Sequence, residues 1–101
     1  MVVFSDPIEF VWDKGNIDKN FIKHGVLSQE SEEPFFDENR KIFTDKVHFS
    51  GEERFRMIGK TKSGRLLFVV FTIRNKKIRI ISARDINRKE VYLYEEKTDV
   101  A

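Results

Sequence analysis

The chain has 101 residues, 40% hydrophobic and 36% charged, with 10 Phe, one Trp and two Tyr, which suits one compact domain and leaves no room for a second catalytic one. The absence of cysteine excludes a disulfide framework, a thiolate zinc site and a cysteine nucleophile, and two His give poor support for a protein metal site. A net charge of +2 hides a split: residues 25–53 carry 3 basic and 8 acidic side chains, residues 54–94 carry 12 and 2, so the folded domain must present a strongly basic surface suited to phosphates or an acidic partner, or simply a solvated face.

In chain order, Met1–Asp6 reads as a lead-in, and Ile8–Trp12 alternates well enough for a first strand. Asp13 offers an N-cap oxygen to a helix with Ile17, Phe21 and Ile22 on one side, closed by the left-handed cap Gly25. Ser28 caps a short second helix that Pro34 stops, because proline removes an amide hydrogen and crowds the preceding turn. Phe35-Phe36 is expected to anchor the exit to the core. The polar stretch from Asp37 to Gly51 leaves room for a short strand at Lys41–Phe43.

From Arg54 the pattern changes to successive hairpins: strands at Arg54–Lys60, Leu66–Ile73 and Ile78–Ala83, with turns at Lys62-Ser63-Gly64 and Arg74-Asn75-Lys76. Leu66–Phe71 is apolar on both faces and belongs centrally in an antiparallel sheet covered by helices. Arg54-Phe55-Arg56-Met57 and Ile78-Arg79-Ile80 alternate charged with apolar, which projects arginines from one sheet face. Asn87-Arg88-Lys89-Glu90 has the spacing of a capping box for a last helix running to about Glu96. The reading is an α+β fold: one domain over residues 1–101 with a core from about 8 to 96, an antiparallel sheet packed by N-terminal helices and a C-terminal helix. With no basic, apolar leader and no apolar run near the ~20 residues of a membrane span, a soluble cytoplasmic chain without metal or cofactor is expected.

No phosphate-cradling glycine loop, metal-binding His pair or Gly-x-Ser-x-Gly elbow occurs. What remains is acid–base chemistry with cations. Arg54, Arg65, Arg79 and Arg84 lie in or beside adjacent strands, Lys23 and His24 end the first helix, and Glu53 opens the strand region. That set has the parts for cleaving RNA by internal attack: a base for the ribose 2′-hydroxyl, guanidiniums for the charge on phosphorus, an acid for the leaving oxygen. Plainer roles compete. His24 and Lys23 suit a helix C-terminus through its dipole, Glu53 beside Arg54 forms a surface pair, Arg65 at a turn is the arginine most suited to a structural role, Glu90 is a cap, and Trp12 and the Phe residues belong to the core.

Phe10-x-Trp12-Asp13, Asn20-x-x-Lys23-His24-Gly25-Val26, Glu52-Glu53-Arg54-Phe55 with Ile58-Gly59, Gly64-Arg65-x-Leu67, and Ile78-Arg79-Ile80-Ile81-Ser82-Ala83-Arg84 with Glu90 and Tyr94 follow in order a pattern that resembles the BrnT family, the toxin half of a bacterial type II toxin–antitoxin pair. The resemblance spans Phe10 to Tyr94. It implies a RelE-like fold, cleavage of cellular RNA that halts translation and growth, and neutralisation by a BrnA-type ribbon-helix-helix antitoxin in a 2:2 heterotetramer that represses its own operon, with operator DNA contacted only through the antitoxin. It adds weight to Lys23, His24, Glu53, Arg54, Arg79 and Arg84 as catalytic candidates, with Glu90 and Tyr94 weaker. Arg79 and Arg84 are assigned to the scissile phosphate, Glu53 to the base or to orienting an arginine, and His24 to proton transfer. Arg56, Lys60, Arg65, Arg88 and Tyr94 are candidates for binding RNA. Ser31, Pro34 and Leu27-Ser28 depart from the pattern and bear on the second helix and on antitoxin docking. Two readings without catalysis stand beside this one: a basic module that binds RNA without cutting it, and an interaction protein whose basic face meets an acidic antitoxin segment.

Overall fold

The structure, a computed structural model, describes residues 4–44 and 52–95. Four antiparallel strands lie in chain order: β1 (Lys41–Thr44), β2 (Phe55–Lys60), β3 (Leu66–Arg74) and β4 (Lys77–Asp85). Two turns fix the β2–β3–β4 meander. Gly64, at φ 92°, closes the first, and Asn75 and Lys76, at φ 53° and 67°, form the second, the doubly left-handed geometry whose twist matches a two-residue hairpin. The register pairs Phe55 with Phe71 and Met57 with Val69 across β2–β3, and Val69 with Ala83 across β3–β4, with a bulge between Val70 and Phe71.

One sheet face therefore gathers Phe55, Met57, Leu67, Val69, Phe71, Ile78, Ile80 and Ala83, all buried. Against it pack α1 (Lys19–His24), α2 (Ser28–Glu32), the following 3-10 turn Glu33–Phe36, and the segment containing Phe4, Ile8, Phe10 and Trp12. Phe35 is the keystone, with ring centroids 5.0 Å from Phe71, 5.1 Å from Phe10 and 5.7 Å from Phe4. A 3-10 turn, Arg88–Glu90, leads into α3 (Val91–Glu95) through the capping box: Asn87 Oδ1 accepts from the Glu90 amide at 3.0 Å and the Glu90 carboxylate accepts from the Asn87 amide at 2.9 Å. The expected extension of this helix to Glu96 lies outside the described residues.

Four expectations are corrected. Ile8–Trp12 is not a full strand; it joins β4 by one parallel bridge, Phe10 to Ile78, with hydrogen bonds from Val11 to Ile78 and from Ile78 to Glu9. Asp13 does not cap α1, because its carboxylate accepts from the Gly15 amide and turns the chain, so α1 starts only at Lys19, after Asp18 in the left-handed region. Leu27, not Ser28, occupies the cap position of α2, its amide bonded to the Glu30 carboxylate. Phe36 is 62% exposed; at about three residues per 3-10 turn, neighbours Phe35 and Phe36 cannot both face the core.

Helix α1 lies along the β4 edge and satisfies its open backbone groups with two asparagines. Asn16, just before the helix, donates to the carbonyls of Val11 and Ile80, both at 3.1 Å, and Asn20 accepts from the Ala83 amide at 3.0 Å. Both asparagines are buried, as a polar group in that position must be hydrogen-bonded.

Candidate active site on the basic sheet face

Alternation sends the other residues of the same strands to the opposite face: Arg56, Ile58 and Lys60 from β2, Leu66, Phe68, Val70 and Thr72 from β3, and Arg79, Ser82 and Arg84 from β4. The sheet thus unites Arg56, Lys60, Arg79 and Arg84 on one surface. The two β4 arginines stand at opposite ends of it. Arg79 pairs with Thr72 and Arg84 with Phe68, four residues apart along β3, or roughly 13 Å of strand.

Each arginine is held by its own carboxylate. Arg79 Nη1 and Nη2 donate to the two oxygens of Asp13 at 2.5 and 3.2 Å; hydrogen bonds from Arg79 and from the Gly15 amide keep the Asp13 carboxyl below its usual range. A side chain at Gly15 would meet the Arg79 guanidinium, since an added Cβ comes within 3.1 Å of Nη2. At the other end, Arg84 forms a two-pronged pair with Glu90, both bonds 2.9 Å, and its guanidinium lies 4.4 Å from the Phe68 ring centroid. The pair lowers the Glu90 carboxyl and raises Arg84. Glu90 is thus both the helix cap and the Arg84 anchor.

Glu53 and Arg54 lie at the Arg79 end. The Thr72 hydroxyl donates to the Glu53 carbonyl at 2.8 Å, fixing that backbone beside the row that contains Arg79, while the Glu53 side chain is exposed. The carboxylate beside it, Glu52, is the one bonded to an arginine: Arg74 Nε reaches it at 2.5 Å and holds it ionised below the usual range. Lys23 and His24 are not brought to this end. Asn16 and Asn20 meet Ile80 and Ala83 in turn, so α1 advances along β4 toward Asp85 and carries Lys23 and His24 with it, away from Glu53.

The RNA-binding candidates divide. Arg56, Lys60 and Arg88 are exposed. Arg65 is a structural clamp: it donates to Asp85 at 2.5 and 2.9 Å, to Glu30 at 3.1 Å, and to the carbonyls of Gly25 and His24, tying the ends of α1, α2 and β4 together. Tyr94 is another, its hydroxyl donating to Asp37 at 2.7 Å while Lys60 Nζ stands 5.9 Å from its ring. Asp13 is the site residue that sequence reasoning passed over, because the same oxygen that sets an Asx turn reads as an ordinary helix cap.

The model of the ribonuclease toxin BrnT of type II toxin–antitoxin systems matches residues 12–90 of the chain, a stretch that contains both arginine–carboxylate pairs. The chain belongs to this family. Its fold is also that of a solved relative: the 1.1 Å crystal structure of the Brucella abortus ribonuclease toxin BrnT matches with a TM-score of 0.60 and 21% identity, over 80% of this chain and 99% of that one. No curated protein matches the chain. The toxin is thus a small α+β domain with a four-stranded antiparallel sheet. Among its described residues no helix is long and apolar enough to cross a membrane.

Proposed function

We propose that this BrnT-family toxin is a metal-independent endoribonuclease that binds RNA across the outer face of β2–β4 and cleaves it at the Arg79 end. The reading rests on the Asp13–Arg79 pair, a guanidinium fixed in direction on the basic face, with the exposed Glu53 held at the same end of the sheet through its backbone carbonyl. Glu53 removes the proton of a ribose 2′-hydroxyl, and the oxygen attacks the adjacent phosphorus. Arg79 and Arg54 stabilise the added negative charge. The 5′-oxygen of the next nucleotide leaves with a proton from solvent, giving a 2′,3′-cyclic phosphate and a 5′-hydroxyl.

The ~13 Å between the β4 arginines favours two phosphates over one, so Arg84, with Arg56, Lys60 and Arg88, serves the flanking backbone, and Lys23 and His24 the strand as it crosses the β4 edge. In the cell, such cleavage stops translation and growth until a BrnA-type antitoxin covers the toxin, the 2:2 complex then repressing the operon through the antitoxin's DNA-binding part.

The test is incubation of antitoxin-free toxin with total RNA in EDTA, beside folded Arg79→Ala, with the new ends mapped. Cyclic phosphates from the wild type alone support the reading. RNA left intact, or cleavage undiminished by the substitution, overturns it.

A further inference from the structure

Helix α1 is amphipathic in the reverse sense. The side facing β4 carries buried Asn16 and Asn20, while Ile17, Phe21 and Ile22 are 43%, 52% and 83% exposed. The inward polarity has its cause in the β4 edge, whose open carbonyl and amide need amide partners. The outward apolarity has no cause among the described residues, since a solvated helix face is ordinarily polar. Three apolar side chains grouped on so short a segment make a patch of the kind that marks an interaction site. Lys14, Lys19 and Lys23 border it, and with Gly15, Ile17 and Ile22 they line an open groove of about 520 Å³.

We infer that the outer face of α1 is the docking surface for an acidic amphipathic segment of the antitoxin, one that sets apolar side chains on Ile17, Phe21 and Ile22 and carboxylates on Lys14 and Lys19. The inference rests on the toxin–antitoxin reading. Two observations select a protein over RNA as the occupant. The groove itself is lined by Ile17 and Ile22, which have no aromatic face for a base to stack on, and Phe21 is not part of its lining. The lysines ring an apolar centre, which is the arrangement of a protein interface, with its apolar core and polar rim. The groove meets the arginine face at Gly15, where an added Cβ would lie 3.1 Å from Arg79 Nη2, so an antitoxin seated there borders the Arg79 end of the site.

Two variants test this, Ile22→Glu and Lys14→Glu/Lys19→Glu, each checked for an unchanged circular dichroism spectrum and melting temperature. The probe is the purified protein encoded beside the toxin in its operon. Ile22→Glu is expected to weaken binding at least about 30-fold, the size of an interface hot spot, and the lysine double variant to weaken it and flatten its salt dependence. RNA cleavage by free Ile22→Glu stays at the wild-type rate. Binding at wild-type strength by both variants overturns the inference, as does loss of cleavage with binding intact, which would give the patch to RNA, or a changed oligomeric state of the free toxin, which would give it to a second copy. Patch-dependent binding by a wild-type toxin that cuts no RNA would uphold this surface while overturning the nuclease reading.

Discussion

On one face of β2–β4, Phe55, Met57, Leu67, Val69, Phe71 and Ile80 are buried against Phe35 and its neighbours; on the other, alternate residues of the same strands are Arg56, Lys60, Arg79 and Arg84. The first face is explained by packing alone. The second is not: its two β4 arginines are tied to carboxylates that come from outside the sheet, Asp13 from the loop before α1 and Glu90 from the turn before α3. Surface ion pairs contribute little to stability, so what those pairs do is fix the direction of the guanidiniums. The difference teaches that substitutions on the two faces should separate stability from activity.

The largest effect is expected at Arg79. Arg79→Ala should reduce initial rates of RNA cleavage by about 10²–10³-fold, the usual loss when one donor to a developing charge is removed, and leave Tm within about 3 °C of wild type. Gly59→Ala should do the reverse. A Cβ there would come 2.7 Å from Pro34 Cβ and 2.9 Å from its carbonyl oxygen, and such overpacking costs about 1–3 kcal/mol. A thermal melt should fall by several degrees while the rate per folded molecule holds. A slow but stable Gly59→Ala would break the comparison, because the packed face would then be shaping the site.

Arg84→Ala is the intermediate case and sharpens the boundary between the faces. It removes the two bonds to Glu90 and the contact with Phe68, so both readouts should move: about 1 kcal/mol of stability after allowance for solvent screening, or roughly 4–8 °C in Tm, and a tenfold-order loss of cleavage measured at subsaturating RNA. A drop in Tm alone would make Arg84 a clamp like Arg65.

What could be read from the sequence follows the same division. Strand alternation over residues 54–83 has a period fixed by backbone geometry, so the hairpins, the central strand and the arginine face were all legible, as was the Asn87–Glu90 capping box. The misplaced caps and Phe36 have local causes, in an Asx turn, a one-residue shift and the 3-10 period, but the failures that bear on function share another: a residue whose partner lies far away in sequence. Asp13 reads as a helix cap until the fold brings Arg79 to it, 66 residues on. Ile17, Phe21 and Ile22 read as one side of a helix, and only the open edge of β4, which claims Asn16 and Asn20, shows that this side faces outward. His24 and Glu53 are plausible partners for acid–base work by residue type, and only the direction of α1 along β4 shows that they stand at different ends of the site.

The smallest effect expected is at Tyr94, where the two faces are joined. Its hydroxyl donates to Asp37, which also accepts from the amides of Asn39 and Lys60; burial opposes ionisation of Asp37, but these bonds outweigh it and hold the carboxyl below its usual value. Burial and the bond to Asp37 push Tyr94 up to about 12. An acid lowered by folding stabilises the native state above its ordinary pKa, and this contribution is lost as pH falls through the depressed value. A phenol raised by folding contributes below its ordinary value near 10, and that contribution is lost as pH rises through about 12. Tyr94→Phe should therefore cost about 1 kcal/mol in denaturant melts across the interval from roughly pH 5 to 10, and the gap to wild type should narrow at both ends. A gap that stays constant down to pH 2 would mean that the hydroxyl contributes independently of the ionised Asp37 carboxylate, since the phenylalanine variant keeps the ring beside Lys60.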